Sequence, residues 1–171
     1  MKDKLLSPEA LATHNPLQST AENAMRLMQA GQWEDALACL AAQEPQEKLM
    51  AWTLQQVLSH AGSQDTAVKN CSSDISQWLS APDEALRFSI FQQAELLGFD
   101  TPAGALGLSL FWMKGSMTAS EFEAVYPEPH LSRLMLHCAL KLLSVAIATD
   151  TPPHTGAQIL LAEWLASRSV N

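Results

Sequence analysis

The segment from Arg87 to Gly115 constrains the fold of this chain more than any other, because it specifies two helices and the joint between them. Ile90 and Ala94 recur at helical spacing, and Gly98 follows at the place where a left-handed residue ends many helices. The pattern therefore predicts a helix that stops at Gly98.

The second helix of this segment has a clear beginning. Asp100 and Thr101 are good N-cap residues, and Pro102 suits the first helical position because its missing N–H would have no partner there. We expect this helix to run from Pro102 to about Lys114 and to stop at Gly115.

Similar signals continue along the chain. Ser19 and Glu22 have capping-box spacing, Gly31 ends that helix, and Gly62 ends a later one. Convincing strand alternation is missing from the sequence. We predict an all-α fold: a single domain of about eight or nine helices, packed mostly as antiparallel pairs, with an irregular loop near 115–130. The other predicted helices cover about 33–42, 45–60, 68–78, 82–97, 131–148 and 155–167.

The first eighteen residues are polar and punctuated by proline. We predict a flexible N-terminal arm over 1–18 and the helical domain over 19–171. Asp3 and Glu9 interrupt the positive charge of Lys2 and Lys4, and no apolar stretch of the length found in secretory signals follows them. We therefore expect that this segment is not a secretory signal.

Charge and hydropathy restrict the partners. The formal net charge of −8 repels polyphosphate, so we expect no nucleic acid partner. The most apolar segment, Leu131 to Ala148, is interrupted by Arg133, His137 and Lys141 and lacks the roughly 18 uninterrupted apolar residues of a membrane span. The sequence therefore predicts a cytoplasmic protein without membrane insertion, and it leaves a homo-oligomer open.

Candidate reactive residues lack the spacing of a known site. Cys39, Cys71 and Cys138 lie in apolar helical patterns, which favours reduced core residues. His137 and Cys138 are adjacent, so on a helix they diverge by about 100° and cannot form a dyad. We predict no metal, cofactor or catalytic residue. The alternative is a small enzyme with a site near Cys138 or His130.

Gly104 and Gly107 lie inside a predicted helix, where each costs about 1 kcal/mol relative to alanine. Close approach of another helix would compensate for this cost. The sequence favours a helix of the same chain over a helix of a partner.

The irregular segment near 115–130 is the predicted partner-binding surface. It leads into a cationic stripe of three residues spaced four apart, Arg133, His137 and Lys141. Large apolar residues there either cover the core or form a binding patch. The stripe either pairs with carboxylates such as Glu121, Glu123 and Glu128 or contacts an acidic partner. The predicted partner-binding residues are Met117, Phe122, Tyr126 and Arg133.

The segments AELLGFDTPAGALGLSLFWMKGSM and PEPHLS resemble an uncharacterised bacterial all-helical domain family. Its members have a similar helix start, a Gly-Ser turn and a Pro-rich loop before a long apolar helix. The similarity covers roughly Ala24 to Ala148, and here the loop is reduced to Pro127 and Pro129. The family brings no catalytic residues with it. Its genes lie near bacterial secretion loci, including type VI systems, which implies an adaptor, chaperone or immunity-like accessory role.

Overall fold

The computed structural model describes residues 1–60 and 64–169, and every regular element in these residues is a helix. The predicted all-α fold is therefore confirmed. The described part contains ten helices, against the predicted eight or nine, and the two that the sequence analysis did not locate lie at the N-terminus. The helices are α1 (Lys2–Leu5), α2 (Pro8–Thr13), α3 (Thr20–Gln29), α4 (Trp33–Gln43), α5 (Gln46–His60), α6 (Thr66–Ser80), α7 (Glu84–Leu97), α8 (Pro102–Met113), α9 (Pro129–Ala148) and α10 (Pro153–Arg168).

Helix α9 is the centre of the domain. It packs against α8 and α10 most extensively and also touches α1, α4 and α5. Leu136, Leu140 and Leu143 are fully buried along it. By length and composition alone α9 could cross a membrane, but 44% of its most apolar window is buried inside the fold. Its apolar character is accounted for by this central position.

The joint between α7 and α8 forms as the sequence predicts. Gly98 has a φ of 95°, which only glycine adopts without strain. The Thr101 hydroxyl accepts a hydrogen bond from the Gly104 amide at 3.2 Å, and Pro102 is the first helical residue. Of the two candidate caps, Thr101 is the one used.

The glycines of α8 pack inside the molecule. A Cβ atom added at Gly104 would lie 1.8 Å from the Gly98 carbonyl oxygen, and one added at Gly107 would lie 2.7 Å from the Ala94 Cβ. Both contacts are with the α7 side of the hairpin, so the predicted packing against a helix of the same chain is confirmed.

The first eighteen residues do not form the predicted loose arm. Leu5, Leu6 and Ala10 are buried in the core cluster. The Ser7 amide and hydroxyl donate to the two Asp35 carboxylate oxygens of α4, at 2.7 and 2.8 Å. These bonds and the buried leucines hold the segment on the domain, although proline and polar residues dominate its composition.

Local capping signals explain most of the helix boundaries. Ser19 and Glu22 form the predicted capping box of α3, and Gly31 follows that helix with a φ of 80°. Helix α7 is capped by Asp83 and begins at Glu84, two residues after its predicted start at Pro82. The prediction that Gly62 ends α5 lies outside the described residues.

Candidate docking surface

The connection between α8 and α9 contains a loop closed by its own hydrogen bonds. We call residues 116–126 the interaction loop. The Met117 amide donates to the Val125 carbonyl at 2.7 Å, and the Val125 amide donates to the Ser116 hydroxyl at 2.9 Å. The Thr118 hydroxyl donates to the Glu123 carbonyl at 2.7 Å. These bonds join the two sides of the loop, so its tip has a defined shape.

The interaction loop presents its large apolar side chains to solvent. Phe122 is 64% exposed and Tyr126 is 70% exposed. Met117 and Val125, which bond to each other through the backbone, are also exposed. The sequence left open whether these residues cover the core or form a binding patch, and in the structure they are exposed and do not cover the core. Contiguous exposed apolar patches mark interaction sites in many proteins.

Arg87 of α7 holds the base of the loop, and sequence reasoning missed it. Its side chain is 1% exposed, and its guanidinium donates to the Phe111 carbonyl at 2.7 Å and the Ser116 carbonyl at 2.6 Å. It also bonds both Glu84 oxygens, at 2.9 and 2.7 Å, and lies 4.4 Å from the centroid of the Phe111 ring. Arg87 thus ties α7 to the end of α8 and to the first residue of the loop.

Gly115 allows this arrangement. Its φ is 92°, and an added Cβ atom would lie 2.8 Å from the Arg87 Nη2 atom. The glycine therefore provides both the left-handed turn after α8 and the space for the guanidinium. The bonds from Arg87 also lower the pKa of the Glu84 carboxyl.

Arg133 makes its hydrogen bonds inside the fold. Its guanidinium donates to the carbonyls of Ala41 and Glu44 at the end of α4, at 2.8 and 3.0 Å, and burial lowers its pKa. It satisfies carbonyl groups that the helix leaves unpaired. The guanidinium of Arg133 is therefore engaged with α4, whereas Phe122 and Tyr126, with which the sequence grouped it, are exposed.

The rest of the cationic stripe also faces α4. The Lys141 ammonium lies 3.6 Å from a Glu34 carboxylate oxygen, and the His137 Nε2 atom lies 2.9 Å from the Glu34 carbonyl oxygen. The stripe therefore pairs with a carboxylate, as one of the two interpretations of the sequence predicted, but the carboxylate is that of Glu34 and not one of the suggested Glu121, Glu123 and Glu128. The stripe is an internal contact between α9 and α4.

His137 makes the stability of the fold depend on pH. Burial, reinforced by the Lys141 ammonium, lowers its pKa from 6.5 to about 4. The unfolded chain therefore takes up a proton on this residue between pH 6.5 and about 4 while the folded chain does not, so its contribution is complete above pH 6.5 and is lost as the pH falls. The full loss is about 3 kcal/mol.

We expect His137→Gln to remove this dependence, because the glutamine amide can still donate to the Glu34 carbonyl but does not titrate. Urea unfolding of both chains at several pH values measures the effect. Below pH 6, the difference in free energy of unfolding between the parent chain and His137→Gln should narrow, or reverse so that the variant is the more stable of the two. Parallel profiles would show that His137 is not buried in its neutral form.

The cysteines do not form a reactive cluster. Burial raises the pKa of the Cys39 and Cys71 thiols to about 11, which keeps them protonated. Cys138 is half-buried and lines an open groove of about 380 Å³ with Phe99, Met135 and other apolar residues. The described residues that line this groove include neither His130 nor His137.

His130 lies elsewhere, at the start of α9, where its Nδ1 atom is 3.4 Å from a Glu128 carboxylate oxygen. Within residues 1–60 and 64–169, no three His, Cys, Asp or Glu side chains come together as metal ligands.

In a comparison with protein families, a family model described as "Family of unknown function (DUF6931)" matches residues 24–165, which is most of the chain. The chain belongs to the DUF6931 family. This match confirms that the chain resembles an uncharacterised family, which is one part of the resemblance noted in the sequence. Neither a curated protein nor a solved structure matches the chain.

Proposed function

We propose that this protein is a noncatalytic interaction module that docks on another protein through the interaction loop. The observation that carries the proposal is the pair of exposed aromatic side chains, Phe122 and Tyr126, on a loop closed by hydrogen bonds. A loop with a defined shape loses little conformational entropy when it binds, and aromatic residues are common anchors of interfaces.

The rest of the described surface offers few comparable features. Leu17 and Leu96 are more exposed than the loop aromatics, at 95% and 89%, but each belongs to a different part of the chain. Isolated apolar residues of this kind are common on protein surfaces and need no partner. The concentration of Met117, Phe122, Val125 and Tyr126 in ten residues is what distinguishes the loop.

The proposed setting is the bacterial cytoplasm, where the protein acts as an adaptor, chaperone or immunity-like accessory factor, for example of a secretion system. This setting follows from the resemblance described above. The packing of α9 inside the fold supports it, since that helix is committed to neighbouring helices.

Affinity capture from the native cytoplasm tests the docking role. Phe122→Ala/Tyr126→Ala should reduce partner recovery at least tenfold, because each truncated anchor typically costs 1 kcal/mol or more. The thermal midpoint should stay nearly unchanged, since both side chains are exposed. Leu17→Ala/Leu96→Ala is the matched control and should retain capture. Arg133 is left intact, because a change there would disturb the end of α4.

A small enzyme is the second candidate, and the half-buried Cys138 in its groove with Lys141 is the observation that favours it. Under the docking proposal, Cys138→Ser leaves capture intact. A correctly folded Cys138→Ser variant that lost a measurable turnover would establish the enzyme instead.

A further inference from the structure

The charge around the interaction loop is negative. Between Lys114 and Arg133 the chain contains no lysine or arginine, whereas Glu121 and Glu123 flank Phe122 directly and Glu128 follows Tyr126. All three carboxylates are exposed. The exposed aromatics therefore stand among acidic side chains.

The charges at the base of the loop are largely paired with one another. A recess of about 210 Å³ lies there between α7 and the end of α8, and its wall contains Asp83 and Glu84 together with Arg87 and Lys114. The two cations nearby are already engaged: Arg87 is buried in its hydrogen bonds, and the Lys114 ammonium lies 3.7 Å from a Glu47 carboxylate oxygen.

We propose that the loop binds a protein segment whose apolar face is bordered by lysine or arginine. This inference rests on the proposed docking function and names the chemistry of its partner. Apolar side chains of the segment pack on Phe122 and Tyr126, and its cations face Glu121 and Glu123 at the rim. Rim charges of complementary sign accelerate association and select the partner.

The same charges argue against other occupants. A second copy of this chain carries the same net charge of −8, and nucleic acids and anionic lipid surfaces are also negative. The cationic stripe of α9, which the sequence offered as a contact for an acidic partner, is used inside the fold by α4.

Two synthetic amphipathic helical peptides provide the test. They share one leucine-rich face and differ only in carrying lysine or glutamate along the two edges of that face. Fluorescence anisotropy with the full chain should show the lysine peptide binding at least tenfold more tightly than the glutamate peptide. Phe122→Ala/Tyr126→Ala should abolish this binding.

Variants that neutralise Glu121 and Glu123 test whether these two carboxylates bind the lysine peptide specifically or whether the net negative charge of the whole protein attracts it. Glu121→Gln/Glu123→Gln should weaken the lysine peptide about fivefold and flatten its salt dependence. The control Glu95→Gln/Glu163→Gln removes the same charge from exposed positions on α7 and α10 and should have little effect.

The outcomes distinguish this inference from the docking function. Equal binding of the two peptides, no binding of either, or equal effects of the two glutamine variants would overturn the proposed partner chemistry. If the partner chemistry were overturned but capture from the cytoplasm still depended on Phe122 and Tyr126, the docking function would stand without the proposed partner chemistry. If the aromatic variant retained both capture and peptide binding, the docking function itself would fail.

Discussion

Arg87→Ala is expected to lower the free energy of unfolding by about 4 kcal/mol. The substitution leaves the Phe111 and Ser116 carbonyls without their buried donor and empties the space beside the Phe111 ring. Each buried polar group left unpaired costs roughly 1 to 3 kcal/mol, and the lost packing adds to this. Urea denaturation of the variant and the parent chain measures the difference.

Glu84→Gln is the control for this prediction. It removes the carboxylate that pairs with Arg87, but the Glu84 side chain is largely exposed, so the expected loss is only about 1 kcal/mol or less. Equal losses for Arg87→Ala and Glu84→Gln would show that the salt bridge matters more than the carbonyl bonds. A stable Arg87→Ala chain would contradict the role of Arg87 at the base of the loop.

Gly156→Ala is expected to destabilise the fold by about 3 kcal/mol, despite the gain of about 1 kcal/mol in helix propensity. An added Cβ atom would lie 1.9 Å from the Ser144 carbonyl oxygen of α9, so the backbones of α9 and α10 must separate. Gly104→Ala should cost a similar amount, because its nearest neighbour is the Gly98 carbonyl oxygen at 1.8 Å.

Gly107 provides the graded comparison. Its nearest neighbour is the Ala94 Cβ at 2.7 Å, so the overlap is smaller than at Gly104 or Gly156 and Gly107→Ala should cost less than the other two alanine variants. Gly107→Leu should lose about 1 to 3 kcal/mol through overpacking. Equilibrium denaturation of the series checks the order. An unchanged or higher stability in Gly156→Ala would show that the two helices are not in close contact.

The sequence predicted those parts of the fold that depend on local signals. The end of α7 at Gly98 and the start of α8 at Pro102 were predictable, because the left-handed residue, the hydroxyl cap and the proline all act within a few residues. The capping box of Ser19 and Glu22 was predictable for the same reason.

Interactions between distant residues were not predictable in this way. Arg87 bonds carbonyls that are 24 and 29 residues away, and a backbone carbonyl leaves no mark in the sequence. Leu5 and Leu6 are buried next to Ser7, whose hydrogen-bond acceptor, Asp35, is 28 residues away along the chain. Arg133 looked exposed in the helical pattern because its acceptors lie at the end of a different helix.

The candidate site was partly predictable. An irregular segment rich in large apolar residues pointed to residues 115–130, but the pattern did not say whether Phe122 and Tyr126 face inward or outward. The hydrogen bonds of Ser116 and Thr118 decide this in the structure, since they close the loop on itself and leave its aromatic residues at the surface. Closely spaced Ser and Thr residues in the loop were the signal available for this closure.

Site-specific crosslinking tests the central claim, docking through the interaction loop, most directly. A photoreactive phenylalanine analogue placed at position 122 of the full chain and irradiated in the native cytoplasm should give a defined covalent adduct with one partner protein. The same analogue at the exposed control position Leu96 should give none. An adduct from position 96 with the same partner, or no adduct from position 122 while capture persists, would contradict the assignment of the docking surface to this loop.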